Sequence, residues 1–382
     1  MVNQKIYFNN FKFKNVKNKK KIFKFLKNLK KSPNEVLQSL GSNYKDSYSK
    51  KTITELKKFK NFRVIGMGGS ILGTKAIYNF LEPKFKNFQF IDNFSSNTYN
   101  KKNTLNMVIS KSGNTLETIS NVSVLIKKKE KNIFISENKK SYLTELANKL
   151  KAEVISHNNY IGGRYSVLSE VGMLPAQLMG FKPEKFRRLN YLIQNKRFIN
   201  SLVSNVSNIL NLSKKKTNSV ILNYDYKSIE FFNWYQQLVA ESLGKRGKGI
   251  HPIISKMPED NHSLMQYYLD GNKNNFFTLF FFKEKISKKI NKNMILKSHL
   301  FIKNKKLNDI LFSQFSATEK VFRKKSIPFR SFIINNRTEE TLGELFTFFI
   351  LETILLGMAM GVNPYDQPAV ELIKKETNKI LI

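Results

Sequence analysis

The feature that most constrains this fold is a regular alternation of short apolar runs with longer amphipathic stretches. Because a strand, a helix and a further strand in succession build parallel units, the alternation predicts parallel sheets covered by helices. Ligands of such sheets bind outside the carboxyl ends of the strands. The predicted strands are FRVIG, FQFID, NMVIS, NIFIS and AEVIS, followed later by SVILNY, FFTLFFF and FRSFIIN.

A Lys-, Asn- and Ser-rich helical stretch around Ile199–Lys216 separates the first strands from the later series. The length of 382 residues also favours two domains over one. The sequence therefore predicts an α/β protein with two tandem three-layer αβα sandwiches of mainly parallel strands. Its expected parts are an N-terminal arm with helices at 1–60, a first domain at 61–200, a second domain at 201–362 and a C-terminal helix at 363–382. Near Lys19–Lys31 the arm is expected to be exposed or to form an amphipathic helix.

Composition narrows the class of protein. The net charge of +38 suggests a nucleic-acid partner, but only nine of the 66 basic residues are Arg, and the Lys are dispersed without an Arg cluster among aromatics. No nucleic-acid partner is therefore expected. The hydrophobic fraction of 41% supports a large core and excludes disorder as the main state. Zero Cys excludes disulfides, thiolate zinc sites and cysteine nucleophiles.

One stretch, Leu345–Val362, is long and apolar enough to span a bilayer. Glu352 lies in its middle, so a buried core helix is the better interpretation. Lys and Asn interrupt the apolar residues near the N-terminus, so no secretory signal is predicted there. We expect a cytoplasmic protein without a membrane partner.

Three loops after predicted strands are candidate ligand sites. The first contains Gly68, Gly69 and Ser70, but Ile71 breaks the dinucleotide fingerprint and Gly73-Thr74-Lys75 breaks the phosphate-binding Walker loop. Its glycines permit close approach of a ligand, and Ser70 is placed to cap the next helix. A plain tight turn is the alternative.

The second loop, Ser110–Thr115, carries hydroxyls and a glycine directly before a helix. Free amides and the positive end of the helix dipole would suit a phosphate there, whereas Thr115 or Asn114 acting as a cap is the alternative. In the third loop, Gly162 and Gly163 precede Arg164 in apolar surroundings. Arg is used there in a chain that otherwise prefers Lys, which indicates a need for a planar, permanent cation.

With these loops the sequence resembles the glucose-6-phosphate isomerase family of the sugar-isomerase (SIS) domain superfamily. The resemblance implies two SIS-type sandwiches and the interconversion of glucose 6-phosphate and fructose 6-phosphate in glycolysis and gluconeogenesis. It also implies no metal or organic cofactor and a homodimer with an active site shared across its interface. The matching segments are VIGMGGSILG, SKSGNTLET, GGRYSVLSEVG, QLVAESLGKRG, NHSLMQYYLDG and VNPYDQPAVELIKK.

The resemblance also implies residue roles. Glu241 matches the catalytic base, Arg164 the arginine beside the reacting carbons, and His262 a ring-opening histidine supplied by the neighbouring subunit. Lys374 matches a lysine that assists ring opening. The implied substrate-binding residues are Gly68, Gly69, Ser70, Ser110, Lys111, Ser112, Thr115, Gly163, Gln237 and Gln367.

Alternatives remain open from the residues. Glu241 and Lys374 would also suit exposed helix faces, and His262 would suit a helix start. The Ser-Gly-Asn-Thr form of the phosphate loop and Ala369 depart from the usual family pattern. A bifunctional phosphoglucose/phosphomannose isomerase and a non-catalytic phosphosugar-binding regulator are therefore the competing functions. Either His262 or Lys374 could supply the ring-opening proton.

Overall fold

The computed structural model describes residues 6–12, 18–84, 87–94 and 102–382, which form two five-stranded sheets flanked by helices. The strands are β1 (Ile6–Asn9), β2 (Asn61–Gly66), β3 (Phe88–Ile91), β4 (Thr104–Ile109), β5 (Lys131–Glu137), β6 (Glu153–His157), β7 (Asn218–Asn223), β8 (His251–Lys256), β9 (Asn275–Phe282) and β10 (Phe329–Ile334). The helices are α1 (Lys19–Lys31), α2 (Glu35–Ser39), α3 (Lys50–Leu56), α4 (Leu72–Leu81), α5 (Leu116–Leu125), α6 (Tyr142–Leu150), α7 (Glu170–Leu178), α8 (Pro183–Phe186), α9 (Leu189–Leu192), α10 (Lys196–Leu212), α11 (Ile229–Leu243), α12 (Met265–Asp270), α13 (Leu307–Lys324), α14 (Glu339–Met360) and α15 (Val370–Leu381).

The first sheet has the order β3-β2-β4-β5-β6, and all its strands are parallel. Successive side chains of a strand point to opposite faces. Val64 accordingly packs in the same core cluster as Ile77 of α4, whereas Ile65 packs with Val122 of α5. The sheet is therefore covered by helices on both faces, as the sequence predicted.

The strand order reverses between β2 and β4, because β2 connects outward to β3 while β4 connects to β5 on its other side. Gly66 at the end of β2 pairs with Ile109 at the end of β4. The loops that follow these residues therefore flank the point where open parallel sheets bind ligands.

The second sheet has the order β1-β10-β9-β7-β8, parallel except for β1, which pairs antiparallel with β10. The α/β class with two mainly parallel sandwiches is thus confirmed, but the sequence did not predict β1 or β8. Part of the N-terminal arm completes the second sheet. The same arm forms α1, which buries Ile22 and Leu26 as an amphipathic helix.

The apolar segment around Glu352 forms α14, which is long and apolar enough to cross a bilayer, but 89% of its apolar 18-residue stretch is buried within the protein. The carboxylate of Glu352 pairs with the fully buried Arg330 of β10, with Nη2 3.2 Å from Oε1, and also accepts a hydrogen bond from Asn205. An ion pair thus compensates the buried charge. The predicted core helix is confirmed, and α15 follows it with no buried residue.

Candidate active site

Two glycine-containing segments of the first sheet meet at its carboxyl edge. The turn Gly68–Ser70 follows β2, and the short 3-10 helix Gly163–Leu168 follows β6. A Cβ on Gly69 would lie 2.1 Å from the carbonyl carbon of Gly163, so only glycine permits this contact. Ser70 does not cap the next helix as expected, because α4 begins at Leu72 and Ile71 occupies the cap position.

Arg164 lies at the centre of this junction and is 2% exposed. Its Nε donates to Ser242 Oγ at 2.9 Å, and its Nη1 donates to Gln367 Oε1 at 2.6 Å and to Glu241 Oε2 at 3.2 Å. Its Nη2 donates to the carbonyls of Pro364 and Asp366 at 2.9 and 3.0 Å. The guanidinium is therefore fixed by partners from separate parts of the chain.

Glu241 lies near the end of α11, with its side chain 29% exposed. Its Oε1 accepts a hydrogen bond of 2.8 Å from Nε2 of Gln237, one helical turn earlier. The buried Oε1 of Gln237 has no hydrogen-bond partner among the described residues. The structure thus presents a partly open carboxylate, a fixed cation and a free amide acceptor in one cluster.

The segment before α15 closes one side of this cluster. The hydroxyl of Tyr165 donates to the carbonyl of Pro364 at 2.9 Å, and Lys245 forms an ion pair of 2.7 Å with Asp366. The hydrogen bond from Lys245 holds the pKa of the Asp366 carboxyl below its usual range. These contacts place Gln367 against Arg164.

The Ser110–Thr115 loop lies at the end of β4, next to β2, the strand that Gly68 and Gly69 follow. Thr115 occupies the cap position of α5, yet its hydroxyl bonds to Ser110 Oγ at 2.9 Å and does not cap the helix. The amide oxygen of Asn114 accepts from the backbone of Tyr142. Lys111 is within 3.5 Å of Glu137, and Ser112 is exposed.

Two predicted residues lie outside the cluster. His262 is exposed in the loop between β8 and α12, and its side chain makes no hydrogen bond to another described residue. Lys374 is 67% exposed on α15 and pairs with Glu371 at 2.6 Å. The described part of the chain contains no group of three or more His, Asp or Glu residues that could hold a metal ion.

Sequence reasoning missed the residues that support Arg164. Ser242 bonds both Arg164 and the hydroxyl of Tyr165, and Trp234 donates from its indole nitrogen to the carbonyl of Arg164 at 3.1 Å. Trp234 lies two helical turns before Glu241, which places both on one face of α11. That spacing was a usable signal, whereas nothing local distinguished Ser242.

Comparison with known proteins agrees with this arrangement. The sequence model of the family described as phosphoglucose isomerase matches residues 19–254. A glucose-6-phosphate isomerase of Methanocaldococcus jannaschii is 35% identical over 84% of this chain and 84% of its own length. One from Mycoplasmopsis pulmonis is 33% identical over 83% of this chain and 82% of its own length.

Solved structures show the same fold. A hypothetical protein from Thermus thermophilus superposes with a TM-score of 0.82 at 22% identity, covering 95% of this chain and 94% of that one. A glucose-6-phosphate isomerase from Chlamydia trachomatis superposes with a TM-score of 0.74 at 17% identity, covering 96% and 84%. Together with the sequence matches, these likenesses confirm the SIS-type sandwiches, and the chain belongs to the phosphoglucose isomerase family.

Proposed function

We propose that this chain is an aldose–ketose isomerase that interconverts glucose 6-phosphate and fructose 6-phosphate. Family membership supports this reaction, and the structural observation that carries it is the pairing of Glu241 with Arg164. Their closest atoms are 3.2 Å apart, with Arg164 buried and Glu241 partly open to solvent. A carboxylate that a small molecule can reach therefore lies beside a cation held in place before the reaction.

The reaction needs these two groups for different steps. A weakly acidic proton leaves carbon 2 of the open-chain aldose and returns to carbon 1, and a single carboxylate can carry it both ways. Glu241 is that base. The enediolate formed between the two transfers carries negative charge, which Arg164 stabilises as a preorganised donor. No step requires a metal or an organic cofactor.

The remaining site residues bind and orient the sugar phosphate. Ser110, Lys111, Ser112 and Thr115 offer hydroxyls, a cation and backbone amides for the phosphate at the start of α5. The phosphate does not react, so its binding energy is available to orient the sugar. The unpartnered Oε1 of Gln237 accepts a sugar hydroxyl. The sugar side of the site is completed by Gly68, Gly69, Ser70, Gly163 and Gln367.

Ring opening requires an acid and a base that the cluster itself does not contain. We assign this step to His262 and Lys374. Both side chains are open to solvent in the single chain. The proposal therefore includes a homodimer in which His262 reaches the active site of the partner subunit. We further propose that the enzyme is cytoplasmic and acts in glycolysis and gluconeogenesis, and that its domains begin at residues 61, 201 and 363.

The test is a coupled assay for glucose 6-phosphate formed from fructose 6-phosphate. We expect turnover by the purified protein and a loss of about 10²–10⁴-fold in kcat for Glu241→Gln, which keeps shape but removes the base. Glu145→Gln, on an exposed face of α6, is the matched control and should retain activity.

Three other outcomes would change the assignment. Folded protein that binds the sugar phosphates without turnover would instead indicate a phosphosugar-binding regulator. Turnover of mannose 6-phosphate in the same assay would indicate the bifunctional enzyme. Full activity of Glu241→Gln would show that another group is the base.

A further inference from the structure

A second buried ion pair lies next to the active site but outside it. His157 at the end of β6 and Glu170 at the start of α7 are each 1% exposed, and His157 Nδ1 is 2.6 Å from Glu170 Oε1. Neither residue bonds to the cluster around Glu241. Burying two ionisable groups costs free energy unless they are paired, so the buried position of this pair calls for a physical explanation.

The ring of His157 faces a hydrogen-bond acceptor on both sides. Its Nε2 is 3.0 Å from the carbonyl oxygen of Ile161, which can only accept, and its Nδ1 meets the carboxylate of Glu170. A neutral imidazole donates from one nitrogen only. Both contacts are therefore satisfied together only when the ring is a doubly protonated imidazolium.

The carboxylate of Glu170 is saturated by donors. Its Oε1 also accepts from the backbone of Asn158 at 3.0 Å, and its Oε2 accepts from the hydroxyl of Tyr44 at 2.9 Å. Burial alone would raise the pKa of Glu170, but the hydrogen bonds from His157 and Asn158 bring it below its usual value. Glu170 is therefore ionised and requires the proton on Nδ1.

The other ionisable groups near the pair already have hydrogen-bond or charge partners. Burial and the neighbouring carboxylate raise the pKa of Tyr44, which keeps its hydroxyl as a donor. Arg187, which follows α8, packs over the Tyr44 ring and donates to Asp46 at 2.6 Å. Burial raises the pKa of Asp46, against the effect of Arg187.

The pair joins the two ends of the segment that carries Arg164. His157 precedes that segment and Glu170 follows it. Inside the segment, the bond to the carbonyl of Ile161 fixes the turn immediately before Gly162, whose own carbonyl accepts from the backbone of Tyr165 at 2.9 Å. A displacement at His157 would therefore be transmitted to Gly163 and Arg164.

We propose that His157 and Glu170 are positioning residues that hold the segment bearing Gly163 and Arg164 in the geometry required beside Glu241. This inference rests on the proposed function, since Arg164 acts on charge that develops during the reaction. Loss of the pair then lowers kcat more than it raises KM, because the displaced group stabilises the transition state more than the bound sugar.

The experiment is Glu170→Gln, whose amide can keep the contacts to Asn158, Tyr44 and Nδ1 but carries no charge. Without a carboxylate partner the buried ring is neutral, because burial disfavours an unpaired charge, and Nε2 then faces the carbonyl of Ile161 without a proton. We expect kcat to fall about tenfold relative to the parent protein, with KM changed less than about twofold.

Glu352→Gln, in the buried pair with Arg330, is the matched control. It should lower the melting temperature without a comparable deficit in kcat. A lower melting temperature of Glu170→Gln with unchanged kcat would show that the His157 pair is only structural.

NMR of the imidazole nitrogens of His157 in the parent protein gives a readout that does not depend on activity. We expect protons on both nitrogens of His157 at neutral pH, whereas a neutral ring would overturn the proposal. If the parent protein lacks isomerase activity but shows the imidazolium, the proposed reaction fails and the charged pair remains. An active enzyme with a neutral ring would refute the charged pair and leave the reaction in place.

Discussion

At the scale of single residues, the arginines of this chain mark the positions where a fixed cation is needed. Only nine of the 66 basic residues are Arg, yet Arg63, Arg164, Arg187 and Arg330 are all buried. Each donates to defined side-chain or carbonyl acceptors. Arg suits such places because its planar group stays charged and donates in several directions. The net charge of +38 is, by contrast, mainly a background of Lys.

This reasoning predicts a large effect for Arg164→Lys. A lysine ammonium cannot replace donors that reach Ser242, Gln367 and two carbonyls at once. We expect kcat for fructose 6-phosphate to fall by about 10²–10³-fold, or about 3–4 kcal/mol, as for loss of one preorganised donor. Steady-state kinetics would measure it. Arg197→Lys, on the exposed face of α10, is the control, and equal activity of both variants would contradict the assigned role.

The sequence singled out Arg164 and Glu241, which the structure brings into contact, but missed several residues that hold them. Ser242 and Glu170 have partners far away along the chain, which only the folded structure brings together. No local pattern distinguishes a hydroxyl that fixes an arginine from one that faces solvent. Composition and motif spacing therefore reveal reactive groups more readily than their supports.

At the scale of secondary structure elements, apolar periodicity predicted most of the strands because they are buried on both faces. The strand β9, for example, is buried along all of its length. In contrast, β1 is a four-residue edge strand within a Lys- and Asn-rich arm, and β8 contains Pro252 and exposed ends. Neither of these two edge strands leaves a long continuous apolar run in the sequence.

The contact between two elements of the site gives a further prediction. In Gly69→Ala the new methyl group would overlap the backbone of Gly163, which carries Arg164 with it. We expect kcat/KM to fall by about 10²-fold, since small displacements of reacting groups are costly. In the control Gly162→Ala the nearest atom, on Tyr165, is 3.7 Å from the added Cβ.

Kinetic assays of both variants, together with their melting temperatures, would measure the effect. The control should keep most of its activity. If Gly69→Ala were as active as Gly162→Ala, the close approach of the two segments would not matter for catalysis.

At the scale of the whole molecule, the site is assembled from distant parts of one chain. The turn at Gly68, the segment at Arg164, helix α11 and the residues around Gln367 meet at one edge of the first sheet. The buried helix α14 leads the chain from the second sheet to that edge. The positive field of the molecule also favours approach of a doubly charged sugar phosphate.

The exposed His262 and the helix α15, which has no buried residue, both lie on the surface of the single chain. In a symmetric dimer each chain would contribute the same residue to the active site of its partner. This arrangement can be tested by mixing two inactive variants, Glu241→Gln and His262→Ala. A heterodimer would contain one site with both changes and one site with neither.

If His262 acts in the site of its partner, co-expressed variants should regain about a quarter of the parent activity, because half of the dimers would hold one intact site of two. Native mass spectrometry would count the heterodimers, and the coupled assay would measure the recovery. Glu241→Gln mixed with Arg164→Lys is the control without rescue, since both residues contact each other within one chain. Heterodimers without recovered activity, or a monomeric parent protein, would exclude the shared site.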